Sequence, residues 1–271
     1  MKFTQVNIVA MHVPHETSVR TDSLPVAPRP LHSTYMKIVG LCYPVWTVLY
    51  LSVGVISLQF PPLHASLAAD ASTPFLPGFV WIYLTCYIMP LFLVFVAKDW
   101  HRVNMVFLSL AIAHLAAFGV FLNFPVDVAK TGLGNSFAER FLSLLYHGEP
   151  GSASNNLPSL HVSFAFTIAF ALLRQSLGKL LEVTAFVWAS LIALSTLFVR
   201  QHVILDVASG LLLTAGCWTI TSFAYPRLVD PSSDPLRALH RLVRSTWPYF
   251  LAAVLLISAL TVVHRFMTNP A

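Results

Sequence analysis

Seven apolar runs decide what this chain can become. A helix crossing the hydrocarbon layer needs about 20 mostly apolar residues. Runs of that kind cover roughly 37–59, 79–97, 103–122, 158–174, 180–199, 203–225 and 246–264. Backbone inside lipid must satisfy its own hydrogen bonds, so such runs become helices. The expected fold is all-α: a polytopic membrane bundle with a six-helix core and a seventh, C-terminal span. Composition agrees. The chain is 56% hydrophobic and 10% charged, with mean hydropathy +0.72. Soluble domains carry about one quarter charged residues.

Residues 1–35 are polar and contain Pro14, Pro25, Pro28 and Pro30. They lack the apolar core of a signal peptide and read as a flexible cytoplasmic tail. The membrane domain then spans 36–265, with the chemistry expected in 123–210. Cys42, Cys86 and Cys217 sit in apolar runs without metal-like spacing and read as small packing residues. Trp81, Trp100 and Trp247 fall near span ends, as interfacial anchors do.

The net charge of +5 follows membrane sides and implies no nucleic acid. Seven spans put Lys2, Arg20, Arg29, Lys37, Lys98, Arg102, Arg174, Lys179, Arg227, Arg237, Arg241 and Arg244 on the N-terminal side. Lys130, Arg140, Arg200 and Arg265 fall on the other. Twelve basic residues against four predict a cytoplasmic N-terminus in a plasma or bacterial inner membrane. The longest outer loop is 123–157. Within it, Phe137, Phe141, Leu144 and Leu145 have helical spacing, so a short helix is expected over Asn135–His147.

Two stretches carry chemistry. Asn155-Asn156-Leu157-Pro158-Ser159-Leu160-His161 enters the fourth span. Pro158 suits a first helical turn, Asn155 or Asn156 a cap, and the exposed helix N-terminus an anion. Arg200-Gln201-His202-Val203-Ile204-Leu205-Asp206 enters the sixth span. His202 and Asp206 stand at i and i+4 on one helix face. A carboxylate inside a membrane helix is rare unless paired and marks function by default. Asp206 can fix the His202 tautomer and leave the other nitrogen free to attack. Arg200 can neutralise an anion. Both stretches face the outer side. His64, His101, His114, His147 and His264 read as packed or snorkelling residues.

These residues resemble the motifs of the type-2 phosphatidic acid phosphatase superfamily: K-x6-R-P, P-S-G-H and S-R-x5-H-x3-D. Pro158-Ser159-Leu160-His161 matches the second, and Ser195, His202 and Asp206 keep the spacing of the third. The resemblance covers about 80–225 and implies a six-helix phosphatase-like core. Thr196 stands where the third motif has Arg, with Arg200 nearby, and Leu160 replaces a Gly. The first motif is absent, and Lys130 and Arg140 are the basic residues in its place. The Pro-Ser-Leu-His form is similar to the inositol phosphorylceramide synthase and sphingomyelin synthase branch. The resemblance implies His202 as the nucleophile, Asp206 as its orienting group and His161 as acid and base. Arg200, Lys130, Arg140 and Ser159 are the implied phosphate contacts. No metal or cofactor is implied; the partners are a lipid phosphate and the bilayer.

The expected activity is a lipid phosphate phosphatase or phosphotransferase working through a phosphohistidine at the extracytoplasmic face. Phospho-headgroup transfer of the sphingolipid synthase type is the alternative within that class. A transporter relaying protons through His202 and Asp206 would place ionisable groups at mid-span on several helices; the chain offers Glu182 near one end and little else, which disfavours that reading. A zinc site of His161, His202 and Asp206 would have suitable ligands but lacks H-E-x-x-H.

Overall fold

The computed structural model describes residues 29–148, 155–173 and 175–268. Most of the expected tail (1–28), Arg174 and positions 149–154 of the outer loop lie outside these. The chain is an all-α polytopic bundle. The first helix, α1 (Arg29–Ser57), starts seven residues upstream of the expected domain boundary. Leu31, Tyr35 and Val39 share one face and pack into the core, and Tyr35 is fully buried. The Tyr35 hydroxyl donates to Asn104 Oδ1 at 2.7 Å. Residues 29–35 are therefore bundle, not tail.

The second span is broken. Helix α2 (Val80–Leu84) passes through a 3-10 turn into α3 (Met89–Val96), with a 44° bend. Pro90 opens α3 and donates no backbone hydrogen bond there. Helix α4 (Trp100–Asn123) is capped by Asp99, whose carboxylate accepts from His101 and Arg102 N–H. Helix α5 (Phe137–Gly148) is the expected loop helix. It buries Leu142 against Val80, Tyr83 and Val199, leaving Phe137 and Leu144 exposed. It thus covers one end of the bundle.

Helix α6 (Leu160–Leu172) has 13 residues and rises about 20 Å, short of the roughly 30 Å hydrocarbon layer. It is enclosed by α4, α7 (Lys179–Phe198) and α8 (Ile204–Leu228), with nine of its residues buried. A helix without a lipid-facing side has no thickness to match. Helix α9 (Pro235–Thr268) packs on α4 from outside and is the expected seventh span. Among the described residues, five helices are long and apolar enough to cross a membrane, or six when the bent pair α2–α3 is counted as one span. This is an integral membrane protein. Near the covered end, β1 (Leu63–His64) pairs in parallel with β2 (Val126–Asp127), and Asn155 extends that contact to the segment before α6.

Small residues bring α6 and α8 together, as membrane helices require for close approach. The Ser159 N–H donates to the Asp206 carbonyl at 3.0 Å. Thr214 Oγ1 lies 3.0 Å from Ser163 Oγ. Between these ties sits Gly210, where a Cβ would come within 2.6 Å of the Ser159 carbonyl oxygen.

Candidate active site

The turn between α7 and α8 delivers His202. Helix α7 ends in a Schellman motif: Gln201 N–H donates to Thr196 O at 3.0 Å and Arg200 N–H to Leu197 O at 3.0 Å. The left-handed residue of that motif is Arg200, with φ 52°, where glycine is usual. Its guanidinium holds it there. One terminal nitrogen donates to Asp70 O at 3.0 Å and the other to Thr73 O at 2.6 Å. The His202 N–H also donates to Thr196 O, at 3.1 Å. Thr196 thus serves the turn through its carbonyl. Its hydroxyl bonds back to Ala193 O.

Asp206 lies in the first turn of α8 and is fully buried. Its Oδ2 accepts from Val203 N–H at 3.0 Å and sits 3.2 Å from His202 Nδ1. Asp206 Oδ1 has no hydrogen-bond partner among the described residues. His202 Nε2 faces His161 Nδ1 at 3.2 Å, and His161 Nε2 meets Tyr83 Oη at 2.7 Å and Tyr87 Oη at 3.1 Å. With Asp206 ionised and both imidazoles neutral, each proton in this line has one consistent place. His202 Nδ1–H donates to the carboxylate, so Nε2 keeps its lone pair. His161 Nδ1–H donates to that lone pair, and its own Nε2 accepts from the tyrosines. These tautomers are assigned from the bonding pattern. The groups stand in line rather than around a point, and among the described residues no three His, Cys, Asp or Glu side chains converge as metal ligands.

The expected phosphate contacts separate. Lys130 reaches the site: its Nζ donates to Gln201 Oε1 at 2.8 Å and to Arg200 O at 3.3 Å, beside His202. It also lies over the Tyr146 ring, 5.1 Å from the centroid. Arg200 does not face the histidines, because its guanidinium is committed to the 70–73 carbonyls. Arg140 is exposed on α5 and donates through Nε to Asn135 O. Ser159 is the N-cap of α6, buried, with Oγ accepting from Val162 N–H at 3.4 Å. Neither Asn155 nor Asn156 is the cap. Asn155 binds Ser57 Oγ and Tyr50 O, and Asn156 donates to Val126 O at 2.7 Å. Pro158 lies just before the helix, after a cis peptide bond.

Tyr83, Tyr87 and Asp70 are site residues that sequence reasoning misses. Tyr83 and Tyr87 are spaced i, i+4 near the start of the second span, a signal any aromatic-rich helix carries. Asp70 binds Leu67 N–H and Ile204 N–H through its carboxylate while its carbonyl holds Arg200. It fixes both sides of the turn that bears His202. Above the site, Tyr146 donates to Val199 O at 2.5 Å, and burial pushes its phenol up to about 12. The hydroxyl therefore stays protonated and keeps α5 pinned to that turn. Comparison with family models, with curated proteins and with solved structures finds no match.

Proposed function

We propose that this chain is a metal-independent lipid phosphate phosphatase or phosphotransferase. The observation carrying the reading is the line His161–His202–Asp206 with Lys130 beside it, at one end of a membrane bundle. The motif resemblance to type-2 phosphatidic acid phosphatases points the same way. The charge asymmetry supports an extracytoplasmic site in a plasma or bacterial inner membrane. Lys130, Arg140 and Arg200 lie at the histidine end, while Lys98, Arg102 and Arg237 lie at the other.

The chemistry follows from the hydrogen bonds. The substrate phosphoryl group parts the two imidazoles and takes the place opposite His202 Nε2. That nitrogen attacks phosphorus, a P–N bond forms, and the P–O bond to the lipid breaks. Asp206 stabilises the positive charge left on the His202 ring. A lipid phosphate monoanion brings one proton, which makes His161 an imidazolium, and His161 passes its Nδ1 proton to the leaving alkoxide. Its Nε2–H is then held by Tyr83 and Tyr87, whose hydroxyl oxygens accept as readily as they donate. In the second half, water or an acceptor alcohol gives its proton to His161, attacks phosphorus and frees His202. Lys130 and the N-terminus of α6 stabilise charge on the phosphoryl oxygens.

Trapping decides it. Purified protein incubated with labelled lipid phosphate should yield an acid-labile phosphoenzyme, and His202→Ala should yield none. Asp206→Asn should fold but form it slowly. Phosphoenzyme at wild-type levels in His202→Ala would end the proposal. Adding candidate acceptor alcohols to the same assay separates hydrolysis from transfer by the product formed.

A further inference from the structure

Helix α9 is longer than a membrane needs. Its 34 residues rise about 51 Å, against a hydrocarbon layer of roughly 30 Å. Asn104 Nδ2 donates to Pro235 O at 2.9 Å and Asn123 Nδ2 to Thr261 Oγ1 at 3.0 Å, so α9 runs alongside α4 from one end to the other. Its apolar part begins near Thr246. The turns before it, 235–245, therefore stand in the headgroup layer. They lie at the end of the bundle opposite the histidines, since Leu160, next to His161, packs with Phe121 near the far end of α4.

These turns have two faces. Ala238 and Leu242 are buried with Tyr225, Met105 and Leu108. Arg237, Arg241 and Arg244, spaced i, i+4 and i+7, are exposed on the opposite side. Among the described residues, none of the three lies within ion-pair distance of a carboxylate. The aspartates at this end are bound elsewhere. Asp99 caps α4, Asp230 accepts from Ser232 N–H and Oγ, and Asp234 accepts from the Arg237 N–H. Like charges at this spacing repel unless an anion joins them. The same stripe then continues into the hydrocarbon. Leu251, Leu255 and Val262 follow Arg244 along it and are exposed. Exposed Trp247 and Tyr249 mark the change from basic to apolar, where amphipathic rings settle at an interface. Cations above an apolar strip match a phosphate group above acyl chains. A protein or nucleic-acid partner would use the cations alone.

We propose that this stripe of α9 binds a phospholipid of net negative charge. The guanidinium forks of Arg237, Arg241 and Arg244 hold its phosphate oxygens, and its chains lie along Leu251, Leu255 and Val262. A zwitterionic lipid neutralises its phosphate with its own ammonium group and gains less here. The stripe shares no residue with the histidine line and does not depend on the chemistry proposed there.

The test is lipid binding by the full chain in a neutral detergent. Every protein carries Lys130→Met, so the cation at the histidine end adds no anion site. Phosphatidylglycerol and phosphatidylcholine with identical, fluorophore-labelled chains are titrated in turn. The parent should bind phosphatidylglycerol about tenfold more tightly or better. Arg237→Gln, Arg241→Gln and Arg244→Gln should each cost about fivefold, the contribution of one basic residue at an anionic surface. The triple variant should bind the two lipids alike. Raising the ionic strength from about 0.01 M to about 1 M should weaken phosphatidylglycerol and spare phosphatidylcholine. Inorganic phosphate at matched ionic strength should not displace the lipid, because the chains are part of the fit. Equal binding of both lipids by the parent, a preference that survives in the triple variant, or displacement by phosphate alone overturns the proposal. Were the triple variant to misfold on gel filtration, the loss in Arg241→Gln would decide.

Discussion

His161 Nδ1 lies 3.2 Å from His202 Nε2, so the two imidazoles proposed as acid and nucleophile share one hydrogen bond. The lone pair that would attack phosphorus is occupied by the group that would later protonate the leaving oxygen. Their separate stretches, at the start of α6 and in the turn leading into α8, are held together by the Gly210 contact and the Ser159–Asp206 tie.

Tyr83→Phe and Tyr87→Phe should each lower turnover of an alkyl lipid phosphate by roughly tenfold, and the double variant by more, because the imidazolium loses its acceptors. Nitrophenyl phosphate, whose leaving group needs no proton, should be spared. Comparing kcat for the two substrates checks this. Equal losses on both would remove the tyrosines from the proton step.

Lys130→Met should cut turnover by roughly 10²-fold, as expected for removing a donor to the transferring phosphoryl group. Arg140→Met should leave kcat/KM within about twofold, since that side chain is exposed and bound to Asn135 O. Steady-state kinetics with one lipid phosphate tests both. Equal defects in the two variants would place Arg140 in the site after all.

Arg200 occupies a left-handed position, and its guanidinium bonds offset the strain. Arg200→Ala loses the bonds and keeps the strain; Arg200→Gly loses both. The Gly variant should therefore be the more stable of the two by about 1 kcal/mol, with wild type above each. Thermal unfolding in detergent reads the order, and identical midpoints for Gly and Ala would contradict the strained turn.

Gly210→Ala should destabilise by about 1–3 kcal/mol, because the added methyl meets backbone at 2.6 Å and neither helix can yield locally. It should also spread the α6–α8 contact and cost activity. Gly216→Ala, with nothing within 4 Å of the added carbon, should be neutral or stabilising. Matched melting curves settle the pair.

The sequence by itself determined the helices and the identity of the paired groups. Apolar length forces helices because lipid offers the backbone no partners. The i, i+4 spacing of His202 and Asp206 pointed to the pair, but not to how it forms: His202 lies in the turn before α8, outside the helix, and Val203 in extended conformation brings it back to Asp206 at 3.2 Å. The α5 helix was legible from the helical spacing of Phe137, Phe141, Leu144 and Leu145. Tertiary structure decided what each cation does. Arg200 looked like a phosphate ligand two residues from His202, yet the left-handed turn swings its side chain toward Asp70 and Thr73. Lys130, seventy-two residues before His202, arrives beside it through the loop after α4. Tyr83 and Tyr87 meet His161 only because α2 and α3 bend around α6. Periodicity fixes which face of a helix a residue occupies; which neighbour that face meets depends on how helices distant in sequence pack.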